Sequence, residues 1–365
     1  MTEPTPIYSA IWHSNGKRLA GWQPVAVLQA DSANELASLP AQLAGQLKSG
    51  QQAVGLLAYG STGPATVQIF DQGNIREIPN DQPVRLTDEA FALGAAFNSD
   101  MDQAAYMAAL QRIRHYLRAG DCYQVNFARR FSTRFSGNPL AAWQTLAQCH
   151  AAPHSSFFRL ANGDCVFGVS PERFVQIRQR HIVSEPIKGS RPRGIDPHQD
   201  QALGESLLHS PKDRAENLMI VDLLRNDLGK VCVAGSVQAA PLFELRKFSN
   251  VQHLVSTVSG TLREEISPLA ALLSCFPGGS ITGAPKKRAM EIIAELEPVP
   301  RGYYCGTQFS LDSEGNLESN ILIRTFQTQG DQIYCHGGGG IVIDSDPLQE
   351  YQESLFKIEK LMSSL

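Results

Sequence analysis

The chain has 365 residues, 42% of them hydrophobic, enough to bury one large core or two subdomains that share one. Its 32 basic and 36 acidic residues are mixed along the sequence and leave a net charge of -4, with no basic block and no RNA-binding signature, which argues against a nucleic-acid partner. The acidic N-terminus lacks an apolar leader, no apolar run approaches the ~18 residues a membrane helix needs, and seven scattered cysteines include no Cys-x-x-Cys pair, so a cytoplasmic protein without a membrane, zinc or iron–sulfur site is expected.

Residues 1–95 read as short strands at 25–28, 53–59 and 67–70 around a helix near 32–47, a divergent N-terminal subdomain packed on a core spanning 96–365. After Asn98-Ser99-Asp100, the apolar residues Tyr106, Leu110, Ile113 and Leu117 recur at helical spacing, and Gly120 supplies the stop of an amphipathic helix. Tyr123-Gln124-Val125-Asn126-Phe127 then alternates as a strand whose Gln124 and Asn126 share a polar face able to line a site. Runs at 156–160 and 164–169 flank Asn162-Gly163, a strong hairpin signal that implies an antiparallel sheet.

The strand Arg180-His181-Ile182-Val183-Ser184 leads into Pro186-Ile187-Lys188-Gly189-Ser190-Arg191-Pro192-Arg193-Gly194. Pro186 disfavours helix in the residue before it and Gly189 frees the backbone after the lysine, which predicts a tight turn presenting Lys188 at a cleft. An amine so placed can bond covalently to a substrate if burial or a nearby cation lowers its pKa; a solvated loop lysine is the plainer alternative. Glu172, in Ser170-Pro171-Glu172-Arg173-Phe174, precedes Lys188 by one hairpin's length, so its carboxyl is expected to face the lysine across paired strands, as a general acid and base or as half of a structural salt bridge.

Ser210-Pro211 opens a helix on which Asp213 and Glu216 share a face, and Ser345-Asp346-Pro347 opens the last helix, on which Glu350, Glu353 and Lys357 form one stripe opposite Leu355, Ile358 and Met362. Brought together, two such carboxylate pairs repel unless a cation joins them, and Mg²⁺ suits an all-oxygen set; two solvated acidic faces are the alternative. Between these helices, residues 276–286 and 336–341 are glycine-rich and expose backbone N–H groups able to cradle anionic oxygens, unless they are ordinary turns. Arg324, read as the end of a strand at 320–324, and Tyr304 offer a carboxylate fork and a hydroxyl donor. Lys286-Lys287-Arg288 reads as a solvated basic turn, with partner docking as its alternative. Strands and helices alternate irregularly, without a repeat, Gly-x-Gly-x-x-Gly or Gly-x-x-x-x-Gly-Lys, so the fold class is α+β.

These segments, in this order over about residues 100–365, resemble the chorismate-utilising enzymes, a family that includes anthranilate, aminodeoxychorismate, isochorismate and salicylate synthases. The motifs that carry the likeness are Gly120-Asp121-Cys122-Tyr123-Gln124-Val125-Asn126, Ser170-Pro171-Glu172-Arg173-Phe174, and the segments 186–194, 212–229, 276–286 and 338–357. The resemblance implies the anthranilate synthase component I-like fold, with large antiparallel sheets and helices packed outside. It implies Lys188, Glu172 and Gln124 as catalytic residues. Tyr304, Arg324, Gly338, Gly339, Gly340, Lys357, Thr282, His253 and Ser190 would bind substrate, and Glu216 and Glu353, supported by Asp213 and Glu350, would hold Mg²⁺.

Within the family, the Gln124 position resembles the place where isochorismate and salicylate synthases carry a water-activating lysine, so glutamine implies ammonia as the incoming group. Lys188 in Pro-Ile-Lys-Gly resembles the branch that aminates chorismate at C4 and keeps the enolpyruvyl group, for 4-aminobenzoate and folate synthesis; anthranilate synthases resemble Pro-Ile-Ala-Gly there. Ser190 stands where threonine is usual, and no Leu-Leu-Glu-Ser-like element is found, which argues against tryptophan feedback. The resemblance further implies a glutamine amidotransferase partner, since this sequence holds no glutaminase segment, and a separate downstream aminodeoxychorismate lyase. The alternatives are an anthranilate synthase component I and a non-catalytic chorismate-binding or amidotransferase-regulating subunit.

Overall fold

The computed structural model describes residues 6–14, 16–60, 63–79, 82–84, 90–150, 152–248 and 251–365. Among these the strands form three sheets, all paired antiparallel. The first runs in the order Gly283–Ala284, Gln124–Ser136, Gln332–Ile341, Thr325–Gln329, Cys165–Ser170, His154–Arg159, Ala10–Ser14, Lys17–Gly21, Ile75–Glu77. The second runs Gln238–Ala239, Val258–Thr261, His181–Ser184, Arg173–Arg178, Leu317–Asn320, Thr307–Asp312, Gln52–Leu57, Ala65–Phe70, Ala26–Ala30, and the small third one Ile187–Pro192, Val251–Val255, Glu244–Lys247. The strands before residue 78 are shared between the first and second sheets, continuous with those of the later chain.

The two large sheets face each other across Trp12, Val54, Leu56, Phe70, Phe158 and Val166, and helices cover their outer faces. Alternation explains this. In Gln332–Ile341, for instance, successive side chains point to opposite faces, so one strand serves both the inter-sheet layer and a helix. The helices are α1 Ala33–Gln46, α2 Gln103–Ala119, α3 Pro139–Cys149, α4 Pro197–Leu208, α5 Pro211–Gly229, α6 Pro268–Cys275, α7 Lys286–Leu296 and α8 Pro347–Met362. None of those described is long and apolar enough to cross a membrane. Their starts are written in side chains: Asp102, Asp196, Ser210 and Asp346 each accept a hydrogen bond from a backbone N–H in the first turn, and Pro197, Pro211 and Pro347 follow the last three as first helical residues. Gly120 ends α2 at φ 79°, in the left-handed region where a Cβ would be strained.

The third sheet stands apart from the other two and is clamped to α4 and α5. Asp200 accepts from Arg193 Nε at 2.7 Å, Arg193 Nη2 at 3.0 Å, Lys247 Nζ at 3.0 Å and Gln252 Nε2 at 3.0 Å, which fixes the strand Ile187–Pro192 and its neighbours at one end. Arg191 Nη2 donates to Asp213 Oδ2 at 3.1 Å and joins the same strand to α5.

The segment 336–341, expected as an exposed glycine loop, is instead the end of the strand Gln332–Ile341. It pairs with Gln124–Ser136 from Gln332↔Arg134 through Ile341↔Val125, whereas its hairpin partner Thr325–Gln329 reaches only to Cys335. On the covered face α8 approaches so closely that a Cβ on Gly337 would drive into the Ser354 carbonyl. Gly337→Ala is therefore expected to lower unfolding free energy by about 1–3 kcal/mol, the range for overpacking a tight interior, as measured by urea denaturation.

Candidate active site

Where Gln332–Ile341 runs beyond its hairpin partner, a cleft of about 670 Å³ opens between the first sheet, the third sheet, α5 and α8. His336, Gly338 and Gly340 lie on one face of the strand and reach this cleft, joined by Asn126 of the neighbouring strand, which is paired with Gly340. Gly339 is on the opposite face, below the Glu350, Glu353 and Lys357 side chains, and does not line the cleft.

Lys188 enters from the opposite wall. The tight turn expected around it is a strand, Ile187–Pro192, paired with Val251–Val255 and carrying a register shift between Ile187 and Ser190. Gly189 at φ 82° makes that irregularity possible, and its absent Cβ leaves room for Leu207 and Asp213. Glu172 comes from a different sheet, just ahead of Arg173–Arg178, so the two meet across the cleft and not across paired strands as expected. Glu172 is 8% exposed; its Oε1 accepts from Ser280 Oγ at 2.9 Å, and its backbone is held by Ser170 and Ile321. Burial pushes the Glu172 carboxyl above the usual carboxylate range, against the pull of Lys188 and Ser280. Burial likewise pulls the Lys188 amine below the usual lysine range, opposed by Glu172 and Glu216. The two groups are thereby driven towards the neutral acid and the neutral amine.

Asp213 and Glu216 of α5 and Glu350 and Glu353 of α8 all line the same cleft. Three of them have partners: Asp213 accepts from Arg191, Glu353 pairs with Lys357 Nζ at 2.7 Å, and Glu350 accepts from Ser345 Oγ at 2.7 Å. Burial, and then the charge of Glu353, hold the Glu350 carboxyl above its usual range, against the pull of Ser345, Lys357 and Lys212. Among the described residues no three acidic or imidazole side chains converge into a ligand cluster. An ion held here would have to take one or two of these carboxylates and keep waters or substrate oxygens, as Mg²⁺ commonly does.

The remaining predicted residues divide. Tyr304, 5% exposed, reaches the cleft with its ring stacked on His336, centroids 4.7 Å apart and planes 8° apart. Arg324 also reaches it, though not from a strand: Leu317–Asn320 ends earlier, and Arg324 sits in the following link at φ 51°. Ser190 and His253 are cross-strand partners in the third sheet, Oγ to Nδ1 at 2.7 Å, and both face the cleft. Lys357 donates to the Gly338 carbonyl at 3.0 Å, so one amine joins α8 to the glycine strand. Thr282 and Gln124 are both fully buried and do not line the cleft. The Thr282 hydroxyl donates to the Gly278 carbonyl at 2.9 Å, and Gln124, on the same face as Asn126, lies over Gly340 with both amide atoms unpartnered. Lys286 is no solvated turn residue; it opens α7 and donates to Asp227 at 2.6 Å.

Sequence reasoning did not single out Ser280, His336 or Lys212, which all line the cleft. Ser280 carried a faint signal, a hydroxyl directly after two glycines. His336 was legible only as the residue before four of them.

Residues 65–363 match the family described as chorismate binding enzyme. Aminodeoxychorismate synthase component 1 of Klebsiella aerogenes is 47% identical over 275 residues, 75% of this chain and 61% of that protein. Anthranilate synthase component 1 of Geobacillus stearothermophilus is 39% identical over 277 residues, 76% of this chain and 54% of that protein. The chain thus spans about three fifths of the length of the aminodeoxychorismate relatives it matches. Among solved structures, a putative 2,3-dihydroxybenzoate-specific isochorismate synthase of Bacillus anthracis shares the fold at a TM-score of 0.82 and 21% identity, covering 100% of this chain and 97% of that one. Anthranilate synthase component I of Streptococcus pneumoniae aligns at 0.74 and 26% identity, covering 98% and 91%. The large antiparallel sheets with helices outside are those expected of this fold, and since the family match takes in every wall of the cleft, the chain belongs to the chorismate binding enzymes.

Proposed function

We propose that the protein aminates chorismate at C4 with ammonia to give 4-amino-4-deoxychorismate, the precursor of 4-aminobenzoate. The observation that carries this reading is the half-buried Lys188, its amine facing the buried Glu172 acid, in a cleft that also holds Arg324, Tyr304 and the glycine strand. The similarity to aminodeoxychorismate synthases supports it. Chorismate has two carboxylates and a poor leaving group, a ring hydroxyl, so a catalyst must bind anions and protonate the departing oxygen. Arg324, Tyr304 and the backbone at Gly338 and Gly340 would bind the enolpyruvyl carboxylate, with Ser190, His253 and Lys357 at the cleft walls.

In the proposed reaction the Lys188 nitrogen bonds to C2, both double bonds of the ring diene move one position towards C4, and the C4–O bond breaks as Glu172 donates a proton and water leaves. Ammonia then bonds to C4, both double bonds move back, and the C2–N bond breaks to release Lys188. Glu172, now a carboxylate, takes the proton lost by the incoming nitrogen, which restores both groups. Glu216 and Glu353 would hold Mg²⁺, with Asp213 and Glu350 in support, and the ion would neutralise the ring carboxylate. Gln124, buried over Gly340 beside Asn126, would act as a neutral filler of the position and not as a contact to substrate. Gly339 and Thr282 would hold the walls in shape. Ammonia would come from glutamine through a separate amidotransferase component, in keeping with the designation component 1 of the relatives, and a separate lyase would consume the product. Seven free cysteines, six of them buried, suit a reducing cytoplasm.

The decisive test is purified protein with chorismate, Mg²⁺ and an ammonium salt, products resolved by mass spectrometry. Formation of 4-aminobenzoate only when aminodeoxychorismate lyase is added is the expected result; anthranilate formed without lyase would overturn the reading in favour of anthranilate synthesis. Lys188→Ala should abolish the lyase-dependent product, and normal amination by that variant would rule out the covalent route. The pH profile of kcat/KM should be bell-shaped. Activity is lost on the acid side as the pair takes up the proton that blocks the Lys188 lone pair, and on the alkaline side as it loses the proton that Glu172 donates. Glu172→Gln should lower kcat by ~10²–10⁴-fold and abolish the alkaline limb. Removal of Mg²⁺ with EDTA should stop turnover, and Glu350→Gln should raise the Mg²⁺ needed for half-maximal rate by roughly 10–100-fold, read from a metal titration.

A further inference from the structure

Below the cleft floor lies an ion pair for which the proposed reaction has no use. Arg301 and Glu297 have side chains 1% and 6% exposed. The guanidinium grips the carboxylate with a fork, Nε to Oε2 at 2.8 Å and Nη2 to Oε1 at 2.7 Å. Its other donors go to two backbone carbonyls, Nη1 to Ile281 at 2.9 Å and Nη2 to Asn126 at 2.7 Å. Glu297 Oε1 also accepts the Ala128 N–H at 2.9 Å. The guanidinium carbon lies 5.6 Å from the centre of the Tyr304 ring. A buried pair of this kind adds little stability over apolar side chains of the same volume, since desolvation cancels most of the attraction. What it does supply is geometry: three chain segments are held by one rigid, planar group.

We propose that Arg301, locked by Glu297, is a positioning residue that sets the cleft floor, holding Asn126, Ile281 and Tyr304 in one arrangement and, through Ile281, placing the Ser280 hydroxyl against Glu172. The role assigned to Glu172 rests on the proposed reaction; the positioning itself does not. Ser280 Oγ donates to Glu172 Oε1 and stabilises the carboxylate, so loss of that bond raises the pH at which Glu172 gives up its proton. The other titratable groups acting on Glu172 are the Lys188 amine from the third sheet and the Cys305 thiol from the segment ahead of Thr307–Asp312.

Arg301→Lys keeps the charge and removes the fork. In the intact protein without substrate, the Glu172 carboxyl is followed by difference infrared spectroscopy against Glu172→Gln. In Arg301→Lys it should titrate at higher pH than in the wild type, in the same direction as in Ser280→Ala, and kcat with chorismate per folded molecule should fall by about 100-fold, the scale of an ångström's displacement of a reacting group. A carboxyl that titrates as in the wild type in Arg301→Lys while Ser280→Ala moves it would overturn the proposal, as would unchanged kcat per folded molecule. If Arg301→Lys does not fold, Glu297→Gln, which keeps an acceptor for the Ala128 N–H, is read in the same way, with the same shift expected and its absence equally damaging. Should the wild type fail to turn over chorismate, the functional reading falls, and the infrared titration still decides the positioning.

Discussion

The cleft depends on one ladder, the ten-residue pairing of Gln332–Ile341 with Gln124–Ser136, and on its having a partner on only one side beyond Cys335. A strand paired on both edges would close the floor; one that outruns its hairpin partner leaves a backbone edge facing open space. Four successive glycines make that stretch thin. Each costs a strand roughly 0.5–1 kcal/mol relative to alanine, so a run of four is retained only where backbone must come close to something else. Here α8 lies against one face at Gly337, and the cleft opens along the unpaired edge between that helix and the opposite face. The descent of α8 onto the strand is also what brings Glu350, Glu353 and Lys357 over the cleft, so the carboxylates and the glycine floor are two consequences of the same close approach.

In the cleft, desolvation moves the Lys188 amine down and the Glu172 carboxyl up, each towards its uncharged form, while Glu216 and Glu353 act on the same amine in the opposite direction. Around them, four carboxylates are interleaved with Lys357, Lys212 and Arg191. Under the proposed reaction this balance matters, because a nucleophilic amine must stay unprotonated beside carboxylates that would favour its protonated form.

Local signals made much of this legible. The cap residues before α5 and α8, the Gly120 stop of α2 and the Asn162-Gly163 hairpin each act within a few residues, and each is where the sequence puts it. The errors arise where the deciding partner is remote. Lys188 read as a turn residue because Pro186, Gly189 and Pro192 surround it, yet Val251–Val255, some sixty residues later, makes the segment a strand. Residues 336–341 read as a loop for the same reason, their partner lying two hundred residues earlier. Thr282 and Ser280 stand in one turn and differ only in which hydroxyl faces inward, a choice made by the packing of the turn and invisible in its composition. Arg301 and Glu297 are four apart, but Pro298 and Pro300 between them deny a helix, so no periodicity marks them as a pair.

The position of Gln124 bears on how one fold can serve different incoming groups. Its side chain is fully buried on the same face as Asn126 and lies over Gly340, in the space a side chain there would take. A neutral amide there leaves the floor without a base. A lysine in the same slot would be a buried amine, its pKa lowered by desolvation, with a strong incentive to extend past a glycine towards any water in the cleft. The absence of a side chain at Gly340 is what would let it through. Under the proposed reaction the choice between water and ammonia then needs no change in the walls that hold the substrate. It rests on whether the residue lying over Gly340 can take a proton, which a glutamine cannot.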